Sequence, residues 1–294
     1  MVNEHRISQL LEEAVYFENH RMWLHAIQIY QRLIHDVPEE WNYRVRLGTV
    51  YLEMGNLQAA EQVLLQALRY DKENPDVLYA LGLACYQSGD LDRALFYLQQ
   101  LAGKSLAKVH YSLGLVYWRR SEFGSAERHF RIALDLQSDH VDSAVALGET
   151  CLRIGKTREA VEALRRAAML SPGDDMIELT LGQSLVADGQ WDSAASVFET
   201  MLSRSPDNDD CAHALAGAWI SLKRLDEAEQ LLKSLLLRLP QQARTLVMLG
   251  RLALLKSNRG RAESYFSSAL AIDPENEEAL EQIRYFTPHG NTSA

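Results

Sequence analysis

The sequence lacks most of what secreted, membrane-spanning and catalytic chains need. It has only three cysteines, Cys85, Cys151 and Cys211, odd in number and far apart. That spacing argues against a disulfide framework and fits a reducing compartment. No run of about 18 apolar residues occurs, so no membrane insertion is expected. The most apolar stretch, LKSLLLRLP, is interrupted by Lys233 and Arg238. The opening MVNEHRISQLLEE has no apolar core, so no signal peptide is expected. Basic residues are short as well, with 30 Lys and Arg against 40 Asp and Glu and a net charge of -10. Such a balance gives a poor footprint for nucleic acid or an anionic membrane, so neither is expected as a partner. These absences together lead us to expect a soluble cytoplasmic protein.

Catalytic signals are missing in the same way. The nine histidines are scattered, without an HExxH motif or cysteines at metal-ligand spacing. His20 and His25 stand five apart, on different sides of a helix. Cys85 and Cys151 each follow a small residue by three, where a thiol packs as a small apolar group. Glu12-Glu13 and Asp174-Asp175 read as solvated helix starts and caps. Arg119-Arg120, Arg165-Arg166 and Arg259-Gly-Arg261 are short, dispersed and near acids, as on salt-linked surfaces. The glycines recur with a period instead of forming a phosphate-cradling loop. No active site, metal or cofactor is expected.

That period is what the sequence does have. Leu47-Gly48, Leu81-Gly82, Leu113-Gly114, Leu147-Gly148, Leu181-Gly182, Leu215-Ala216 and Leu249-Gly250 follow one another at intervals of 34 residues, with one interval of 32. Counting back reaches Ala14. Twelve residues after each small residue stands an alanine: Ala26, Ala60, Ala94, Ala126, Ala160, Ala194, Ala228 and Ala262. Four further on comes a large apolar residue: Tyr30, Leu64, Leu98, Phe130, Leu164, Phe198, Leu232 and Phe266. Five copies then place a proline at one offset: Pro38, Pro172, Pro206, Pro240 and Pro274. Apolar spacings of three and four mark one helix face. Turn signals such as MGN, SGD, IGK and DGQ stand between the two helices of a copy. One such pair cannot bury its face alone, so a stacked array of pairs is expected.

Eight copies in step over about Ile7 to Phe286 closely resemble the tetratricopeptide repeat (TPR) family. The resemblance implies an all-α, right-handed superhelical α-solenoid of eight helix pairs plus a C-terminal capping helix. We expect one solenoid over 7–286, with repeats at about 7–40, 41–74, 75–106, 107–140, 141–174, 175–208, 209–242 and 243–276. The cap is expected at 277–286 and a disordered tail at 287–294. The third copy is two residues short, and its second helix is expected to end near Ala102-Gly103. An altered stacking angle is expected between the third and fourth copies.

The resemblance also implies a non-enzymatic interaction scaffold that binds a protein or peptide segment in a concave groove lined by the first helices. Two alternatives stay open: a nucleic-acid-binding or sensory protein of the same family, and an accessory subunit of an enzyme. On the first helices, a stripe rotated from the packing face reads Tyr79, Leu83 and Tyr86, then Tyr111, Leu115 and Trp118, followed by Arg119. These seven residues are the candidate groove site, although the aromatics can equally pack against the next first helix. Other copies carry less bulk there, as with Val45, Thr49 and Leu52, or Val145, Glu149 and Leu152. Relatives that grip a C-terminal carboxylate do so with Lys and Asn on this face. Here Asn42 and Lys108 are isolated, which argues against such a clamp. Partner identity and oligomeric state are not encoded in any of these features.

Overall fold

The computed structural model describes residues Glu4–Phe286, and the tail expected at 287–294 lies outside them. The described residues form seventeen α-helices and one 3-10 turn, with no strand among them. They fall into two compact units that divide between Thr150 and Cys151.

In the first unit α1 (Glu4–Asn19) pairs with α2 (Trp23–Asp36), and α3 (Asn42–Glu53) with α4 (Leu57–Leu68). The pairs α5 (Pro75–Ser88) with α6 (Leu91–Gln99) and α7 (Ala107–Arg119) with α8 (Phe123–Leu136) follow. Helix α9 (Val141–Arg153) comes next and contains the division between the units. The second unit continues with α10 (Thr157–Leu170), α11 (Asp175–Ala187), α12 (Trp191–Arg204), α13 (Asp209–Ser221) and α14 (Leu225–Arg238). It ends with α15 (Ala243–Leu255), α16 (Arg259–Ile272) and α17 (Glu277–Phe286). Away from α9, each second helix packs on its own first helix and on the next one, as α4 does on α3 and α5 and α12 on α11 and α13. First helices also touch their successors, α3 on α5, α5 on α7 and α11 on α13.

The small–large pairing explains how the helices of a pair approach. A methyl group on Gly114 would stand 2.5 Å from the Phe130 ring, and one on Gly182 would stand 2.2 Å from Phe198. Both rings are fully buried, so the space a side chain would need is already filled. Between the helices of each pair the chain turns through one left-handed residue. Glycine serves at 55, 89, 155 and 189, while Arg21, Ser121, Lys223 and Ser257 take the same register position with φ between 55° and 61°. All five repeat prolines lie between pairs, where no helical hydrogen bond is lost.

The short third copy differs in detail from the sequence expectation. Helix α6 stops at Gln99, and a 3-10 turn, Ala102–Lys104, replaces its last part. A polar chain ties this turn to its neighbours. His110 Nε2 lies 3.2 Å from the Ala102 carbonyl, and its Nδ1 lies 3.0 Å from Nδ1 of His129 on α8. A carbonyl only accepts, so Nε2 of His110 carries the proton and its Nδ1 accepts from His129. The His129 ring stacks on Tyr117 at 5.3 Å, and the Tyr117 hydroxyl accepts a bond from Gln99. One turn of helix is thereby exchanged for a hydrogen-bonded link across α6, α7 and α8.

Candidate functional site

Of the seven stripe residues, Tyr79 and Leu83 help line a hollow of about 630 Å³ in the first unit. Its walls come from the first helices: Leu11 on α1, Val45, Arg46, Thr49 and Leu52 on α3, Ala80 on α5 and Lys108 on α7. The hollow lies where the stripe is small. Val45 and Thr49 at the stripe positions of α3 leave space that an aromatic would fill, whereas the tyrosines and tryptophan of α5 and α7 occupy theirs. Smallness at the stripe positions was the available signal, and a search for large aromatics passes over it.

The hollow has an apolar floor and a rim of mixed charge. Lys108 Nζ lies 4.6 Å from the centre of the Tyr79 ring and 4.0 Å from Asp76. Arg46 reaches Glu18 at 3.5 Å, and Asn42 donates to Glu40 at 2.7 Å. Asn42 and Lys108 are therefore both engaged within the chain. The Tyr79 hydroxyl meets Ser112 Oγ at 3.3 Å, which links α5 to α7.

The other stripe residues lie further along the same helices. Arg119 sits over the Tyr86 ring at 4.9 Å and donates to the Tyr86 carbonyl at 2.8 Å. Tyr111 is half-buried against Phe130 and His140. Burial, reinforced by Asp142, Tyr86, Tyr79 and Glu149, pushes its phenol up to about 12. Trp118 is half-buried with its ring edge-to-face on Phe123 at 6.2 Å, and Leu115 is half-buried. Each aromatic thus has an internal neighbour and keeps part of its surface open.

All three cysteines are buried and none is in a disulfide. Burial pushes the thiols of Cys85 and Cys211 up to about 11, so neither is a ready nucleophile at neutral pH. No helix among the described residues is long and apolar enough to cross a membrane.

Stacked two-helix repeats with a groove on the first-helix face define a class of repeat proteins that act as interaction modules. Two tetratricopeptide repeat family models match, one over residues 12–71, 45–105 and 111–175, the other over 185–249. The chain belongs to the tetratricopeptide repeat family, whose members typically mediate protein–protein contacts without catalysis of their own. Lipopolysaccharide assembly protein B of Escherichia coli K12 is 26% identical over 196 residues, covering 62% of this chain and 50% of that protein. BBSome complex member BBS4 of Bos taurus is 28% identical over 212 residues, covering 60% and 41%. The chain spans half or less of the length of these relatives. Among solved structures, the C-terminal part of a TPR repeat-containing protein from Cytophaga hutchinsonii superposes with a TM-score of 0.66 at 16% identity, covering 81% of this chain and 99% of that one. YrrB, described as a TPR protein with an unusual peptide-binding site, gives 0.50 at 20% identity, covering 75% and 97%. These structural likenesses concern the fold.

Proposed function

We propose that this chain is a non-enzymatic scaffold whose first unit holds an extended or helical segment of a partner protein in the hollow between α1, α3, α5 and α7. The carrying observation is the apolar floor of Val45, Leu52, Tyr79 and Leu83 beneath a rim of Arg46, Asp76 and Lys108. Such a floor takes one or two apolar anchors, and the opposed rim charges fix their direction. Tyr86, Tyr111, Leu115, Trp118 and Arg119 extend the same face and would contact the flanking part of the segment. Membership of a larger assembly is part of this reading, and two relatives are named for assembly or complex membership. A cytoplasmic setting is part of it too, supported by three cysteines held outside any disulfide.

The test places a photo-reactive benzoylphenylalanine at Thr49, crosslinks in native lysate and maps the attached peptide by mass spectrometry. The expected result is one dominant partner segment with apolar residues at the crosslink. Thr49→Arg, which fills the hollow without removing packing, should abolish capture of that protein. Unchanged capture by Thr49→Arg would overturn the site.

A further inference from the structure

The second unit has a hollow of its own on the first-helix face, about 610 Å³, between α13, α15 and α17. Its apolar part is Ile220, Leu254 and Leu255, and Leu255 is 58% exposed. More than half of the Leu255 side chain therefore stands in solvent at the end of α15. The facing wall is acidic. Glu278 and Glu281 on α17 line the hollow, with Gln282 between them and the next turn. Glu278 is paired at 3.4 Å with Arg251, which also lines the hollow, while exposed Glu281 forms no ion pair among the described residues. Tyr285 is 73% exposed and continues the face of Glu278, Glu281 and Gln282 by the spacing of three and four. The first-unit hollow sets two acids, Glu40 and Asp76, against two cations, Arg46 and Lys108. The second carries a surplus carboxylate beside open apolar surface.

We infer that this second hollow docks a cationic amphipathic segment of a partner protein. One apolar side chain of the segment rests on Ile220, Leu254 and Leu255. A Lys or Arg one turn away pairs with Glu281 and reaches the Tyr285 ring. Charge complementarity selects this occupant: an acidic segment would face Glu278 and Glu281, and a purely polar one would leave Leu255 in water. The surface is separate from the one proposed for the first unit and does not depend on it.

The experiment uses the full chain and three fluorescein-labelled helical peptides, built from Leu and Lys, Leu and Glu, or Ser and Lys. Binding is read by fluorescence anisotropy at physiological salt. The Leu/Lys peptide should bind and the other two should not. Leu255→Ser and Glu281→Lys should each weaken it about tenfold, the loss of one anchor or one charge pair. Both positions are exposed, so the fold should persist, and circular dichroism checks it. Because the whole chain is acidic, Glu53→Lys on α3 supplies the control for bulk charge and should leave binding unchanged. Equal weakening by Glu53→Lys and Glu281→Lys would overturn the inference, as would a Leu/Glu peptide that binds equally well. Leu/Lys binding that Thr49→Arg abolishes and Leu255→Ser spares would move the site to the first unit and also refute it.

Discussion

Acidification should loosen the first unit through one side chain, His129. Its imidazole is half-buried on α8 and donates to His110, whose other nitrogen is committed to the Ala102 carbonyl. Burial, with His110 and Arg128 nearby, lowers it from 6.5 to about 4. The neutral ring is thus the native form, and the unfolded chain takes up a proton below pH 6.5. Stability from this group is complete above pH 6.5, declines as pH falls towards 4 and is level below that. At 1.36 kcal/mol per pH unit the displacement corresponds to about 3 kcal/mol. Partial solvent access reduces the measurable part to about 2 kcal/mol. A doubly protonated pair would also set two N–H groups against each other at 3.0 Å, breaking the link. The assay is hydrogen exchange of α6, α7 and α8 between pH 7.5 and 4, after correction for intrinsic exchange, for wild type and His129→Asn. Asparagine keeps a donor near the Nδ1 position and removes the titration. Carboxylates and His213, which burial also lowers, act alike in both proteins and cancel in the difference. The wild type should lose protection relative to His129→Asn as pH falls, by about 2 kcal/mol in opening free energy. Parallel curves for the two proteins would refute the reasoning.

Leu113→Ala, at a fully buried position, should cost about 2–5 kcal/mol in urea unfolding, and Trp118→Ala, only half-buried, distinctly less. Gly182→Ala should cost about 1–2 kcal/mol, since overpacking against Phe198 outweighs the better helix propensity of alanine; a stabilised variant would contradict the close approach. Lys223→Gly should raise stability by about 0.5 kcal/mol, because relief of the left-handed strain slightly exceeds the entropy cost of glycine, and a thermal melt reads it. The three thiols should resist Ellman's reagent in the native protein and react on unfolding; rapid native labelling of Cys85 would show that its burial is wrong.

The repeat frame was legible because packing leaves a periodic trace. Each small residue faces one large residue sixteen positions on, so Gly114 with Phe130 or Gly182 with Phe198 can be paired from the sequence alone. The turns were legible only where glycine marks them. At Arg21, Ser121, Lys223 and Ser257 the same left-handed conformation is imposed by the flanking helices on residues that do not prefer it. The end of α6 was displaced for a similar reason. Gly103 suggested a helix terminator, but the His110 link holds a 3-10 turn there instead, and an interaction between His110 and His129 has no periodic signature.

The hollows were the least legible part, because a hollow is a property of what surrounds it. Val45, Thr49 and Ala80 look unremarkable in sequence, and only their placement among α1, α3, α5 and α7 makes them part of a hollow. The large aromatics drew attention by size, yet size at a stripe position fills space as readily as it offers a contact. Tyr86 beneath Arg119 and Trp118 on Phe123 each pack on a neighbour within the chain. The same distinction explains how one repeat type carries two different surfaces. Packing residues set the frame, while stripe residues are free to vary in charge and bulk at small cost in stability. Coupling between repeats is to nearest neighbours, so a substitution at Thr49 on α3 should leave the surface at Leu255 on α15 unperturbed, and the reverse. Binding lost at one surface and kept at the other therefore identifies the surface itself, whereas loss of both from a single substitution would point to a change in folding.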